Sequence, residues 1–139
     1  MSTVENEPSL FERIGGQPAV ARLVDRFYDE MEQNPSAAAL RGLHATDLAG
    51  IREVLKLYLS EWLGGPRAYS LVRGHPRLRA RHLPFAIGIP ERDAWLACMR
   101  TALADTISDQ DARLAIYGAM ERLADFMRNQ PHGAAPGQP

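Results

Sequence analysis

Among the side chains of this sequence that could do chemistry, His82 has the most suggestive neighbours. It lies in Gly74-His75-Pro76-Arg77-Leu78-Arg79-Ala80-Arg81-His82-Leu83-Pro84-Phe85. Leu78, His82 and Phe85 are spaced four and three apart, so a helical turn puts them on one apolar face. Arg77 and Arg81 share the neighbouring face. An imidazole among apolar side chains, with guanidinium groups beside it, suits a flat apolar macrocycle with a central metal and rim carboxylates, which describes a haem. Spacing alone does not decide this, because a lone histidine on an apolar face is more often an ordinary core residue.

The remaining histidines carry less. His132 lies in a Gly/Pro-rich terminal stretch. His75 precedes Pro76, where a capping or surface role is expected. His44 falls between a short helix and a long one, either exposed or closing over a cavity. No two histidines stand at chelating helical spacing and no Glu-x-x-His motif occurs, so zinc and di-iron sites are disfavoured. A haem needs one protein ligand only, since the porphyrin supplies four. The single cysteine, Cys98, excludes a disulfide framework, a Cys-rich zinc site and the C-x-x-C-H attachment of a c-type haem. Any haem is therefore held non-covalently.

The elements that must position these residues read as helices throughout. Ser9-Leu10-Phe11-Glu12 is a capping box, and Gly15-Gly16 ends the short helix it starts. Pro18 fits the first position of a second helix, striped by Val20, Leu23, Val24, Phe27, Tyr28 and Met31 and stopped at Asn34-Pro35. Ala37 to Leu43 is a helical turn or two. A longer helix from Thr46 or Asp47 carries Leu48, Ile51, Leu55, Tyr58, Leu59 and Trp62, and Gly64-Gly65-Pro66 stops it. Arg67 to Gly74 reads as a surface loop. Pro90 opens a helix striped by Trp95, Leu96, Met99 and Leu103. Ser108 with Asp111 opens the last, striped by Leu114, Tyr117, Met120, Ala124 and Met127. No alternating strand pattern or internal repeat occurs, so the fold is all-α, with crossing helices.

The 139 residues make one domain, long enough to bury roughly two-thirds of the unfolded surface. Residues 1–8 are expected to be a flexible N-terminus, 9–130 the folded domain and 131–139 a disordered tail. Met1 to Glu7 lacks the apolar run of a signal peptide, and no segment approaches the ~18 apolar residues of a membrane span, so a cytoplasmic setting without membrane contact is expected. Arg73, Arg77, Arg79 and Arg81 form the kind of basic turn that nucleic-acid binders use. A net charge of −1 argues against that reading.

Taken in order, several segments resemble the truncated haemoglobins, most closely their second group. They are Leu10-Phe11-Glu12-Arg13-Ile14-Gly15-Gly16, Arg26-Phe27-Tyr28, Trp62-Leu63-Gly64-Gly65-Pro66 with Tyr69, the His82 segment quoted above, and Glu91-Arg92-Asp93-Ala94-Trp95-Leu96-Ala97-Cys98-Met99. The similarity runs from about Ser9 to Met127. It implies a globin-like two-over-two helical sandwich around a b-type haem, with His82 as proximal ligand. It implies that Tyr28, His44 and Trp95 line the opposite face, where O2, NO or CO binds. Ile51 takes the place where many globins have a distal histidine and gates access without donating; Leu55 lies one turn on. Arg81 is the best propionate partner, because arginine binds a carboxylate bidentately, with Tyr69 and His75 weaker candidates. The residues support part of this independently: a hydroxyl on the apolar stripe at Tyr28 needs a partner, and the Trp95 indole N–H can only donate. Without the resemblance both would read as core aromatics. The implied function is reversible oxygen binding, in transport or scavenging, with a haem peroxidase or an NO-detoxifying enzyme as the alternative. A reductase is a candidate partner, and the expected state is a monomer or weak homodimer.

Overall fold

The computed structural model describes residues 8–74 and 77–129. Ser9 opens helix α1 (Leu10–Ile14) with the expected capping box: its Oγ accepts from the Glu12 N–H, and the Glu12 carboxylate accepts from the Ser9 N–H. Gly15, left-handed at φ 116°, closes α1, and α2 (Gly16–Gln33) begins at once, ahead of the expected start at Pro18. Every residue of the expected α2 stripe is buried. A 3₁₀ turn (Pro35–Ala37) leads into α3 (Ala38–Gly42). Helix α4 (Ala49–Trp62) follows Leu48, later than the expected start at Thr46 or Asp47, and just ahead of it the Asp47 carboxylate accepts from the Ala49 N–H at 2.9 Å.

The stop at Gly64-Gly65-Pro66 does more than break a helix. Gly64 is left-handed at φ 99°, and a Cβ on Gly65 would lie 2.7 Å from the Phe11 ring. The Phe11 N–H donates to the Leu63 carbonyl at 3.0 Å. The glycine pair is where α1 lies down on the end of α4.

Further expectations are corrected toward the C-terminal half. Arg67 to Gly74 is not a surface loop: Ala68–Arg73 forms helix α5, with Tyr69 buried and packed edge-on to Tyr58 at 5.5 Å. The Glu61 carboxylate accepts from the Ser70 N–H and hydroxyl and so holds α5 to α4. Leu71 and Val72 point outward, which is why no apolar period was visible there. After α6 (Leu78–His82) and α7 (Ile89–Thr106), the last helix, α8 (Gln110–Phe126), is capped by Asp109 rather than Ser108. The Asp109 carboxylate accepts from the Ala112 N–H at 3.0 Å and pairs with Arg13 at 2.8 Å. Its buried row is Ala112, Ile116, Met120 and Ala124, whereas Leu114 is 64% exposed.

Helix α2 packs on α4 to one side and on α7 to the other, and α8 packs on α7. This is a two-over-two helical sandwich, α2 with α4 over α7 with α8. Among the described residues there is no strand, and no helix is long and apolar enough to cross a membrane. Among the same residues α4 has no extensive contact with α7 or α8. Its apolar stripe is accordingly only partly covered: Leu48 and Leu59 are buried, Leu55, Tyr58 and Trp62 are half-buried, and Ile51 is 39% exposed.

Replacing Gly65 with alanine should push the Phe11 ring from its seat and cost about 1–3 kcal/mol, as overpacking does. Thermal denaturation should show a midpoint lower by about 5 °C; an unchanged midpoint would show that α1 does not depend on this contact.

Candidate functional site

Tyr28 and Trp95 come from helices that cross, and one ring joins them. Phe27, fully buried on α2, meets Tyr28 edge-on at 4.9 Å and Trp95 edge-on at 5.1 Å. Tyr28 continues the chain to His44, whose ring lies 6.1 Å away at 75°. The structure therefore brings together the three residues expected on the gas-binding side. Ile51 and Leu55 lie four apart on the partly covered side of α4.

Tyr28 is 4% exposed, yet among the described residues its hydroxyl has no hydrogen-bond partner. Burial pushes its acidity well below that of an ordinary phenol, so it stays protonated and available as a donor. The Trp95 indole is half-buried and likewise without a protein acceptor among the described residues. Among the described residues no buried side-chain nitrogen or oxygen lacks a partner, so both donor atoms keep access to solvent, where an acceptor from outside the chain could meet them.

Arg52 of α4 lies over the Tyr28 ring, 5.7 Å from its centroid. Its guanidinium is held by Asp25, Asp29 and Glu32 of α2 at 3.2, 2.8 and 3.3 Å. Lys56, one turn along α4, also pairs with Asp25. Asp25, Asp29 and Glu32 follow helical spacing opposite Arg52 and Lys56, a pattern that could have revealed this α2–α4 clamp from sequence.

His44 is half-buried, and its Nδ1 lies 2.9 Å from the Leu40 carbonyl. A carbonyl only accepts, so Nδ1 carries the proton and a neutral ring keeps Nε2 bare. Burial lowers the pKa of His44; the Leu40 carbonyl opposes this, and Arg41 and His82 lower it further.

His82 is half-buried at the end of α6. Phe85 follows in a turn rather than in the helix; its N–H donates to the His82 carbonyl at 3.0 Å, and its ring is 41% exposed. The Leu78 side chain and all of His75 lie outside the described residues, so the expected Leu78–His82–Phe85 face is only partly described. Arg81 is exposed, and Tyr69 packs with Tyr58 away from the Tyr28 group.

These residues fit a haem: a histidine beside exposed Leu83 and Phe85, a partly covered apolar face at Ile51 and Leu55, an arginine for a carboxylate, and two unused neutral donors. Phe27, Arg52 and Asn129, which bonds to the His82 carbonyl, were not singled out by sequence. Phe27 is indistinguishable from any other stripe residue, and Asn129 reads as an ordinary helix-end residue.

A family model described as bacterial-like globin matches residues 9–129. Group 2 truncated hemoglobin YjbI of Bacillus subtilis is 37% identical over 115 residues, 83% of this chain and 85% of that protein. The group II 2-on-2 hemoglobin of the plant pathogen Agrobacterium tumefaciens has a TM-score of 0.88 and 43% identity, covering 90% of this chain and 97% of that one. The group II truncated hemoglobin of Bacillus anthracis has a TM-score of 0.83 and 36% identity, covering 91% and 100%.

The depressed pKa of His44 has a defined sign in stability. The unfolded chain takes up this proton near pH 6.5, before the folded chain does, so His44 contributes fully above that pH and its contribution is lost as pH falls toward the folded value. His44→Phe should therefore lose less stability than the parent between about pH 7 and pH 5. Parallel denaturant titrations across that window test this; equal slopes would refute it.

Proposed function

This chain belongs to the bacterial-like globin family, as one of its group II truncated haemoglobins, and from that membership we propose how it holds its haem and its diatomic gas ligand. The haem is b-type and non-covalent. His82 is its proximal ligand, Arg81 the bidentate partner of a propionate with Tyr69 and His75 as weaker contributors, and Ile51 and Leu55 border the macrocycle. The observation that carries this reading is the pair of neutral donors, Tyr28 and Trp95, left without protein acceptors and locked together through Phe27.

When bound, the haem would supply the iron at which O2, NO or CO binds. The chain supplies the rest. Tyr28 and Trp95 each donate a hydrogen bond to a ligand bearing partial negative charge. A hydrogen bond to a charged acceptor is worth roughly 1.5–3 kcal/mol, about ten- to a hundredfold in dissociation rate. Ile51 narrows the approach and donates nothing. Oxygen held by two donors leaves slowly, which suits sensing, scavenging or redox chemistry better than bulk transport.

A second reading, a haem-dependent peroxidase or NO-detoxifying enzyme, is favoured by the bare Nε2 of neutral His44, a base able to take a proton from peroxide. Turnover of a reducing dye by peroxide, well above that of free haemin and reduced by His44→Ala, would favour the peroxidase; rates equal to free haemin would remove it. A reductase partner, a monomeric or weakly dimeric state and a cytoplasmic location belong to the same proposal. The buried thiol of Cys98 is consistent with a reducing compartment.

Trp95→Phe should speed oxygen release at least several-fold in stopped-flow displacement, and no change would remove Trp95 from the ligand's partners. His82→Ala should yield protein without stable haem. A normal Soret-absorbing holoprotein from that variant would overturn the ligand assignment.

A further inference from the structure

Helix α6 has five residues and is entered through Arg77 in a left-handed conformation, φ 48°. Leu83, Pro84, Phe85 and Ala86 are exposed, and among the described residues α6 has no extensive packing on another helix. An iron ligand needs a fixed direction, and hence a restraint on its backbone.

Asn129, just beyond α8, supplies one. Its Nδ2 donates to the His82 carbonyl at 3.1 Å and to the Phe85 carbonyl at 2.7 Å. Its Oδ1 accepts from the Ile87 N–H at 2.9 Å, and its own N–H donates to the Ile87 carbonyl at 2.9 Å. Both side-chain donors and the side-chain acceptor are thus spent on one six-residue stretch, 82–87. The His82 carbonyl takes the Phe85 N–H as well, so both of its lone pairs are used and the peptide plane next to the imidazole is fixed. The anchor is firm because Met120, Ala124 and Met127 tie the end of α8 into the core.

We propose that Asn129 is a positioning residue for the proximal histidine: from the end of α8 it fixes the backbone of His82, and thereby the direction in which the imidazole projects. This rests on the reading of His82 as the iron ligand. Backbone conformation restricts the rotamers available to a side chain, so a loosened peptide at position 82 broadens the imidazole's orientations.

Two variants of the holoprotein test it. Asn129→Asp keeps size and the acceptor for Ile87 but sets a carboxylate oxygen against two carbonyls; Asn129→Ala removes all three side-chain bonds. Both should transfer haem to apomyoglobin at least about tenfold faster than the parent, since Asp loses two ordinary hydrogen bonds and Ala three. Both should also lower the iron–histidine stretching frequency of the ferrous protein while leaving the C–O stretch of its carbon monoxide complex, which reports on Tyr28 and Trp95, unchanged. Without haem, amide exchange at Ile87 should accelerate while amides in the core of α8 keep their protection. Haem transfer and an iron–histidine band like the parent's would overturn the proposal, as would a C–O stretch that moves together with that band. His82→Gly separates the two readings. Retention of haem by His82→Gly without added imidazole overturns both, whereas loss of haem there with parent-like Asn129 variants overturns only the role of Asn129.

Discussion

The edge-on packing of Phe27 between Tyr28 and Trp95 is the contact on which the rest of the candidate pocket depends. Phe27 sits fully buried where α2 meets α7, and interior packing at that density leaves neither neighbour free to shift alone. Each such ring pair adds about 0.5–1.5 kcal/mol beyond its buried area. The rings that carry the Tyr28 hydroxyl and the Trp95 N–H are held by apolar contact, while the two donor atoms themselves, without a protein acceptor among the described residues, stay open to solvent. A pocket whose donors had been satisfied by the protein would have nothing to offer a ligand.

The two sides of the site are restrained by different forces, and each suits its task. Packing around Phe27 is dense but weakly directional, which is adequate for donors whose hydrogens rotate or whose planes are already constrained. On the proposed reading His82 is a metal ligand, and the imidazole of such a ligand must point along one line. Hydrogen bonds are directional, and the segment after His82 is fixed by them, through Asn129 and the Phe85 N–H, with little apolar burial of its own. The ionic clamp of Arg52 with Asp25, Asp29 and Glu32 is a third device. It crosses from α4 to α2 and lies over the outer face of Tyr28.

What was legible in the sequence follows from side-chain size and separation along the chain. The α2 stripe could be read because six large apolar residues repeat at helical spacing, and all six are buried. On α8 and its cap the expected Met120, Ala124 and Met127 are buried and Tyr117 packs partly against the core, but the conspicuous Leu114 faces outward and the row continues instead through Ile116 and the small Ala112. Helix α5 was invisible because six residues hold only one inward side chain, Tyr69. Tyr28, His44 and Trp95 could be named singly, but their union through Phe27 is a property of the α2–α7 crossing. Asn129 stands 47 positions from His82, and no local pattern announces a bond over that distance.

Charge in the pocket argues for the kind of ligand it favours. Burial, Arg41 and His82 all oppose a proton on His44, so near neutral pH the ring is uncharged. Arg52 over the Tyr28 ring works against the effect of burial on the phenol, and three carboxylates around the guanidinium offset its charge. Burial likewise keeps the Tyr28 phenol neutral. Polarity on this side is therefore delivered by neutral donors, not by a full charge. On the proposed reading such donors stabilise a bound gas in proportion to the negative charge it acquires, so a strongly polarised ligand such as oxygen gains more than a weakly polarised one such as carbon monoxide. Acidification toward the folded pKa of His44 would put a third, cationic donor beside Tyr28 and change that balance.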